Sequence, residues 1–197
     1  MKWERGIHHL DAVARTCAEL VDSPMARYSL SVTQLWALGG VLEAPRELDH
    51  VTVVLVVDLP VDDVPWLARP RGADHWEQLT RVAKIPVSPL WRSARAPVWN
   101  HFIDRPALVW DAKTGIAEDT LAALRAGRGH DVRLPAPSPE ELRTRLDDEL
   151  AVSLRALRER TREYDDRRWK PGKLTGISDA LWEASNGYLD LLDARGA

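Results

Sequence analysis

With 197 residues, 45% of them hydrophobic and 29% charged, and a net charge of -3, the chain is long enough for one full core but not for two large ones. Neither disorder nor a broadly basic nucleic-acid surface fits that composition, and the longest apolar run, Val53 to Val57, falls far short of the roughly 20 residues that cross a bilayer. The single cysteine, Cys17, has no intramolecular partner, and no apolar leader with a cleavage site opens the sequence, so a reducing bacterial cytoplasm is the expected setting.

Trp3, Ile7, Leu10, Ala14, Cys17 and Val21 recur at spacings of four and three, which predicts a helix from Trp3 to Val21 burying one stripe. After Ser23-Pro24, the even positions Leu30, Val32, Trp36 and Leu38 alternate with smaller or polar neighbours, the period of a half-buried strand that stops at Gly39-Gly40. Residues 41–48 form a loop. The β-branched run Val51 to Val57 is apolar at odd and even positions alike and predicts a central strand covered on both sides. Pro60, Pro65 and Pro70 interrupt the next segment, and Trp76, Leu79, Val82 and Ala83 then suggest a short helix closed by Pro86.

Residues 97–103 and 107–111 are expected to be two strands joined by a turn at Asp104-Arg-Pro106. Ile116 to Ala126 suggests a helix, and Gly127, Gly129 and the prolines from 135 to 139 a break. Ser138-Pro139-Glu140-Glu141 has the composition of a capping box, and Leu142, Leu146, Leu150, Leu154 and Leu157 extend the helix it starts to about Tyr164. The arginines of this helix alternate with Glu and Asp, the pattern of a solvated face. Leu181, Trp182, Ser185, Tyr188, Leu189 and Leu192 mark a final amphipathic helix. The whole is an α/β (α+β) chain: a small mixed sheet flanked by helices over residues 1–134, and a C-terminal helical hairpin over 138–197 that packs on the first helix or on the sheet.

A helix, a strand ending in Leu38-Gly39-Gly40, a loop and a second strand resemble the nucleotidyltransferase fold of the polymerase-beta superfamily, especially its small prokaryotic members. In that family small residues let backbone amides approach a triphosphate, and carboxylates on the next strand and on a later one hold two divalent metals about 3.5–4 Å apart. The resemblance implies that Gly39 and Gly40 contact phosphate. It also places Val51 and Val53 at the carboxylate positions, leaving Asp49 as a loop residue before them and Asp111 as the candidate third carboxylate. Asp58, beyond the second strand with Asp62 and Asp63, is the remaining acidic candidate.

The expectation is a catalytically reduced nucleotidyltransferase-like protein with a binding or regulatory role, in a toxin–antitoxin or defence setting. One alternative is an active transferase with Mg²⁺ and a nucleoside triphosphate, its metal held by a nonstandard set such as Asp49, Asp58 and Asp111, of which Asp49 and Asp111 are the metal-ligand candidates. Another is an interaction scaffold whose tryptophans meet a protein partner or a second copy. His75, His101 and His130 show no zinc spacing, Ser29, Ser31 and Ser88 lack the context of a nucleophile, and Cys17 sits within a helix stripe.

Overall fold

The computed structural model describes residues 1–21, 23 and 30–196, so Pro24 and Ser29 lie outside the described residues. Helix α1 (Trp3–Val21) is followed by strands β1 (Val32–Leu38) and β2 (Val51–Val57), helix α2 (Ala73–Thr80) and strand β3 (Val87–Ser93). Strands β4 (Ala107–Asp111) and β5 (Gly115–Ile116), helix α3 (Glu118–Arg125) and the long helices α4 (Pro139–Arg167) and α5 (Thr175–Gly196) complete the chain. The sheet order is β3-β2-β1-β4-β5; β3 runs parallel to β2, and the other neighbours are antiparallel. Among the described residues, no helix is long and apolar enough to cross a membrane.

The sheet is mixed and covered on both faces. Val51, Val53, Leu55 and Val57 of β2 join Leu10, Ala14 and Cys17 of α1, Trp76 of α2 and Leu121 of α3 in one core. Val54 and Val56 join Trp36, Leu38, Leu146 of α4 and Leu191 of α5 in another. The terminal helices pack against each other and on the sheet, on the face opposite α1. Burial raises the Cys17 thiol to about 12 and keeps it protonated.

Two sequence expectations need correction, and one strand was not foreseen. The even-numbered face of β1 is not continuous, because a β-bulge between Val32 and Gln34 inserts one residue and reverses the parity. Val32 therefore faces α1, while Trp36 and Leu38 face the hairpin. Residues 97–103 form no strand: the Asn100 carboxamide oxygen accepts the amides of Phe102 at 3.0 Å and Ile103 at 2.8 Å, capturing donors that a ladder would use. The missing strand is β3, which occupies the sheet edge where Pro89 is tolerated. Smaller differences are the 3-10 turn Gly39–Leu42 within the expected loop, β5 before α3, and α4 continuing to Arg167. Its capping box is formed, with Glu141 N–H donating to Ser138 Oγ and Ser138 N–H to Glu141 Oε2.

The hairpin's approach to the sheet is set at Gly187. A Cβ added there would lie 2.0 Å from the Trp66 carbonyl oxygen, a backbone atom that cannot swing aside. Gly187→Ala is expected to lower stability by roughly 2 kcal/mol or more, since overpacking of this kind forces backbone shifts, read as a lower urea midpoint. The same change at exposed Gly176, where an added Cβ meets nothing, provides the control.

Candidate functional site

The glycine pair lies in the 3-10 turn at the C-terminal end of β1. Gly39 has φ +71, and an added Cβ on Gly40 would come within 2.9 Å of an Arg46 guanidinium nitrogen and 3.0 Å of Leu48 Cδ2. Both glycines thus serve the turn and its packing. Val51 and Val53, at the positions where the resemblance looks for carboxylates, are 1% and 0% exposed and belong to the core beneath α1.

The three aspartates are not brought together. Asp49 is exposed just before β2, and Asp58 just after it, so the seven-residue strand between them separates the two by about 20 Å at ~3.3 Å per residue. Asp58 faces Arg95 at 3.7 Å. Asp111 ends β4, which neighbours β1 rather than β2. It accepts from Gln34 Nε2 at 2.7 Å and from the Lys113 amide at 2.8 Å, while the Gln34 carbonyl receives Trp36 Nε1 at 3.0 Å. Burial works to raise the Asp111 carboxyl, but hydrogen bonds from Gln34 and from the amides of Lys113 and Thr114 outweigh it and hold it below the usual carboxylate range. Among the described residues, no group of three or more His, Cys, Asp and Glu side chains is placed to hold a metal ion. The residues present therefore do not fit the two-metal centre that the resemblance implies.

A different constellation lies at the other end of the sheet from the glycines. The segments leaving the C-terminal ends of the parallel strands β2 and β3 meet α4 there. Together they line an open cavity of about 390 Å³, walled in part by Trp66, Arg92, Arg145, Val152 and Arg155. Behind it is a polar cluster: Arg92, Asn100 and Glu149 are 3%, 3% and 5% exposed. The Arg92 guanidinium pairs with Glu149 and lies 5.5 Å from the Trp66 ring centroid. Arg145 Nη2 reaches the same carboxylate at 2.8 Å and the Pro97 carbonyl at 3.1 Å, and Asn100 Nδ2 donates to Glu149 Oε2 at 2.9 Å. Burial, followed by the charge of Arg92, pushes the Arg145 guanidinium below its ordinary value. Its buried Nε has no hydrogen-bond partner.

A second carboxylate ties α5 to the same loops. Asp190 Oδ2 accepts from Trp66 Nε1 at 2.6 Å and lies 2.8 Å from His101 Nε2. At the rim of the cavity, exposed Arg155 holds Asp62 through Nε at 2.9 Å.

The structure thus carries an arginine-lined cavity of binding size. Sequence reasoning missed the cavity. Its residues are dispersed along the chain, and Arg145 and Glu149 sit in a helix whose mixed charges resemble a solvated face. The one available signal was that Glu149 and Ser153 flank Leu146 and Leu150 on the buried side of α4, where polar residues require partners.

A domain of unknown function, DUF7711, matches residues 1–197. The chain belongs to the DUF7711 family. Because the match includes α4 and α5, the DUF7711 unit comprises the hairpin as well as the sheet, and hence both sides of the cavity. No curated protein and no solved structure matches the chain.

Two measurements check these contacts. Glu149→Ala leaves two guanidiniums facing each other without their carboxylate and is expected to cost roughly 3–5 kcal/mol in urea unfolding; Arg155→Ala, which breaks an exposed pair, should cost less than about 1 kcal/mol. A carboxyl held low in the folded state contributes stability that is complete above its unfolded value, about 4 for Asp. That contribution is lost as the pH falls through the folded value. The melting temperatures of wild type and Asp111→Asn should therefore differ at neutral pH and converge as the pH is taken progressively below about 4.

Proposed function

We propose that this chain is a binding or regulatory protein, nucleotidyltransferase-like in layout, that performs no two-metal transfer. The observation that carries this reading is the burial of Val51 and Val53 in the core under α1, where metal-dependent transfer would need exposed carboxylates. The order helix, glycine-ended strand, loop, strand, helix, strand supports the likeness in layout. The alternative of an active transferase needs Asp49, Asp58 and Asp111 to share one or two ions. Their positions at opposite ends of β2 and on the far side of β1 do not support it.

Protein contact is the form of binding favoured by α5, whose Trp182, Leu189 and Leu192 are exposed. Aromatic and aliphatic anchors of this kind are typical of protein interfaces.

The decisive experiment is thermal unfolding with ATP, GTP or CTP, with and without Mg²⁺. A ligand at 100 times its Kd would add about 2.7 kcal/mol. The expected result is no Mg²⁺-dependent shift and indistinguishable profiles for wild type and Asp49→Asn. A Mg²⁺-dependent shift abolished by Asp49→Asn would overturn the reading.

A further inference from the structure

The cavity between the sheet and the hairpin has a chemical character of its own, which does not depend on the nucleotidyltransferase likeness. Four arginines, Arg92, Arg95, Arg145 and Arg155, contribute to its wall, against Asp148 and Glu149. Glu149 is shared between Arg92 and Arg145. The two remaining guanidiniums are engaged from outside the wall by Asp62 and, at 3.7 Å, by Asp58. Those pairs are solvent-exposed, with side-chain exposures of 55%/58% and 59%/61%. Exposed pairs hold by about 1 kcal/mol or less, so either arginine can be drawn to a better acceptor with little loss.

The buried part of the wall is incompletely satisfied as well. Arg145 leaves its Nε without an acceptor and shares its carboxylate with a second arginine. Guanidiniums match the paired oxygens of a carboxylate or phosphate, and here Arg155 stands at the rim while Arg145 lies deeper in the wall, its charge only shared with Arg92 over one carboxylate. Trp66, Val64, Pro97 and Val152 complete the enclosure with apolar surface. The cavity also lies beyond the carboxyl ends of the parallel strands β2 and β3, where open α/β sheets generally receive ligands.

The geometry points to this cavity as the binding site for a small oxyanionic ligand, a carboxylate or phosphate carried on an apolar body, held by Arg145 and Arg155 with the body against Trp66 and Val152. The pairing of one charged end with one apolar wall excludes a bare ion as the best occupant. Binding should weaken with salt, since Arg155 stands at the exposed rim.

The test is calorimetric titration of the full chain with phenyl phosphate, benzoate and inorganic phosphate. At least one of the two aromatic probes should bind, and more tightly than inorganic phosphate; which of them is tighter assigns the head group as phosphate or carboxylate. Arg155→Ala should weaken that binding roughly tenfold or more, and Val152→Trp, which fills the cavity, should abolish it. Arg158→Ala, on the same helix but outside the cavity wall, should leave it unchanged. Absence of binding by either aromatic probe, or binding that survives in Arg155→Ala at full strength, would overturn the assignment. Inorganic phosphate binding as tightly as phenyl phosphate would overturn the role of the apolar wall. Arg155 is exposed, so its variant is expected to fold and keeps the test decisive should Val152→Trp not.

Discussion

The Glu149 carboxylate is the group on which the arrangement of the two terminal helices turns. Through Arg92 and Asn100, with Arg145 beside it on α4 reaching the Pro97 carbonyl, it ties α4 to the end of β3 and to the loop beyond it. Helix α4 brings little apolar surface of its own to the sheet: its buried residues are Leu146, Glu149 and Ser153. A buried ion pair is a weak source of net stability, because desolvation offsets much of the attraction, but it penalises every arrangement that separates its members. Sliding α4 by one turn would part Glu149 from Arg92 and Asn100 and strand the Arg92 guanidinium in the interior. The clasp therefore acts chiefly on position, while Leu146, Leu191 and the close approach at Gly187 supply the apolar contact.

That position determines what the two ends of the sheet are used for. At the end holding Gly39 and Gly40 the chain closes on itself, with Arg46 and Leu48 over Gly40, and Leu42 so near Gly129 that an added Cβ would lie 2.7 Å from its carbonyl oxygen. At the opposite end the connections after β2 and β3 diverge, and α4 spans the gap without filling it. Glycines that resemble a phosphate grip in sequence thus serve close packing, and the open, arginine-lined end of the molecule is the one whose residues carry no recognisable spacing.

Much of the fold was legible, for reasons that lie in particular residues. The three–four spacing of Trp3 through Val21 and the unbroken apolar run of Val51 through Val57 define α1 and β2 with their observed bounds, because α1 is buried along its stripe from Trp3 to Cys17, with only Val21 at its end exposed, and β2 is covered on both faces. Ser138 and Glu141 mark the start of α4 because the capping box is a purely local interaction. Alternation failed where a tertiary or side-chain effect intervened: the bulge at Thr33, the Asn100 carboxamide in the loop 97–103, and Pro89 in β3. The clasp and the cavity were out of reach for a different reason. Arg92 and Glu149 are 57 residues apart, and Trp66 and Asp190 are 124 apart. A charge in an amphipathic helix carries no local mark of whether its partner is water or another buried charge.

The edge position of β3 also bears on how copies of this chain can meet. Val51 N–H bonds to the Pro86 carbonyl and Ala94 N–H to the Val57 carbonyl, which fixes the phase of the parallel ladder so that the even-numbered amides of β3 point at β2. Pro89 consequently falls on the outward side, where its missing N–H removes a donor that an added strand would need. The other edge, β5, is two residues long. With one margin interrupted and the other too short to template, the sheet resists extension into a continuous intermolecular ribbon. An added strand would find no uninterrupted edge to pair with on either side of the sheet.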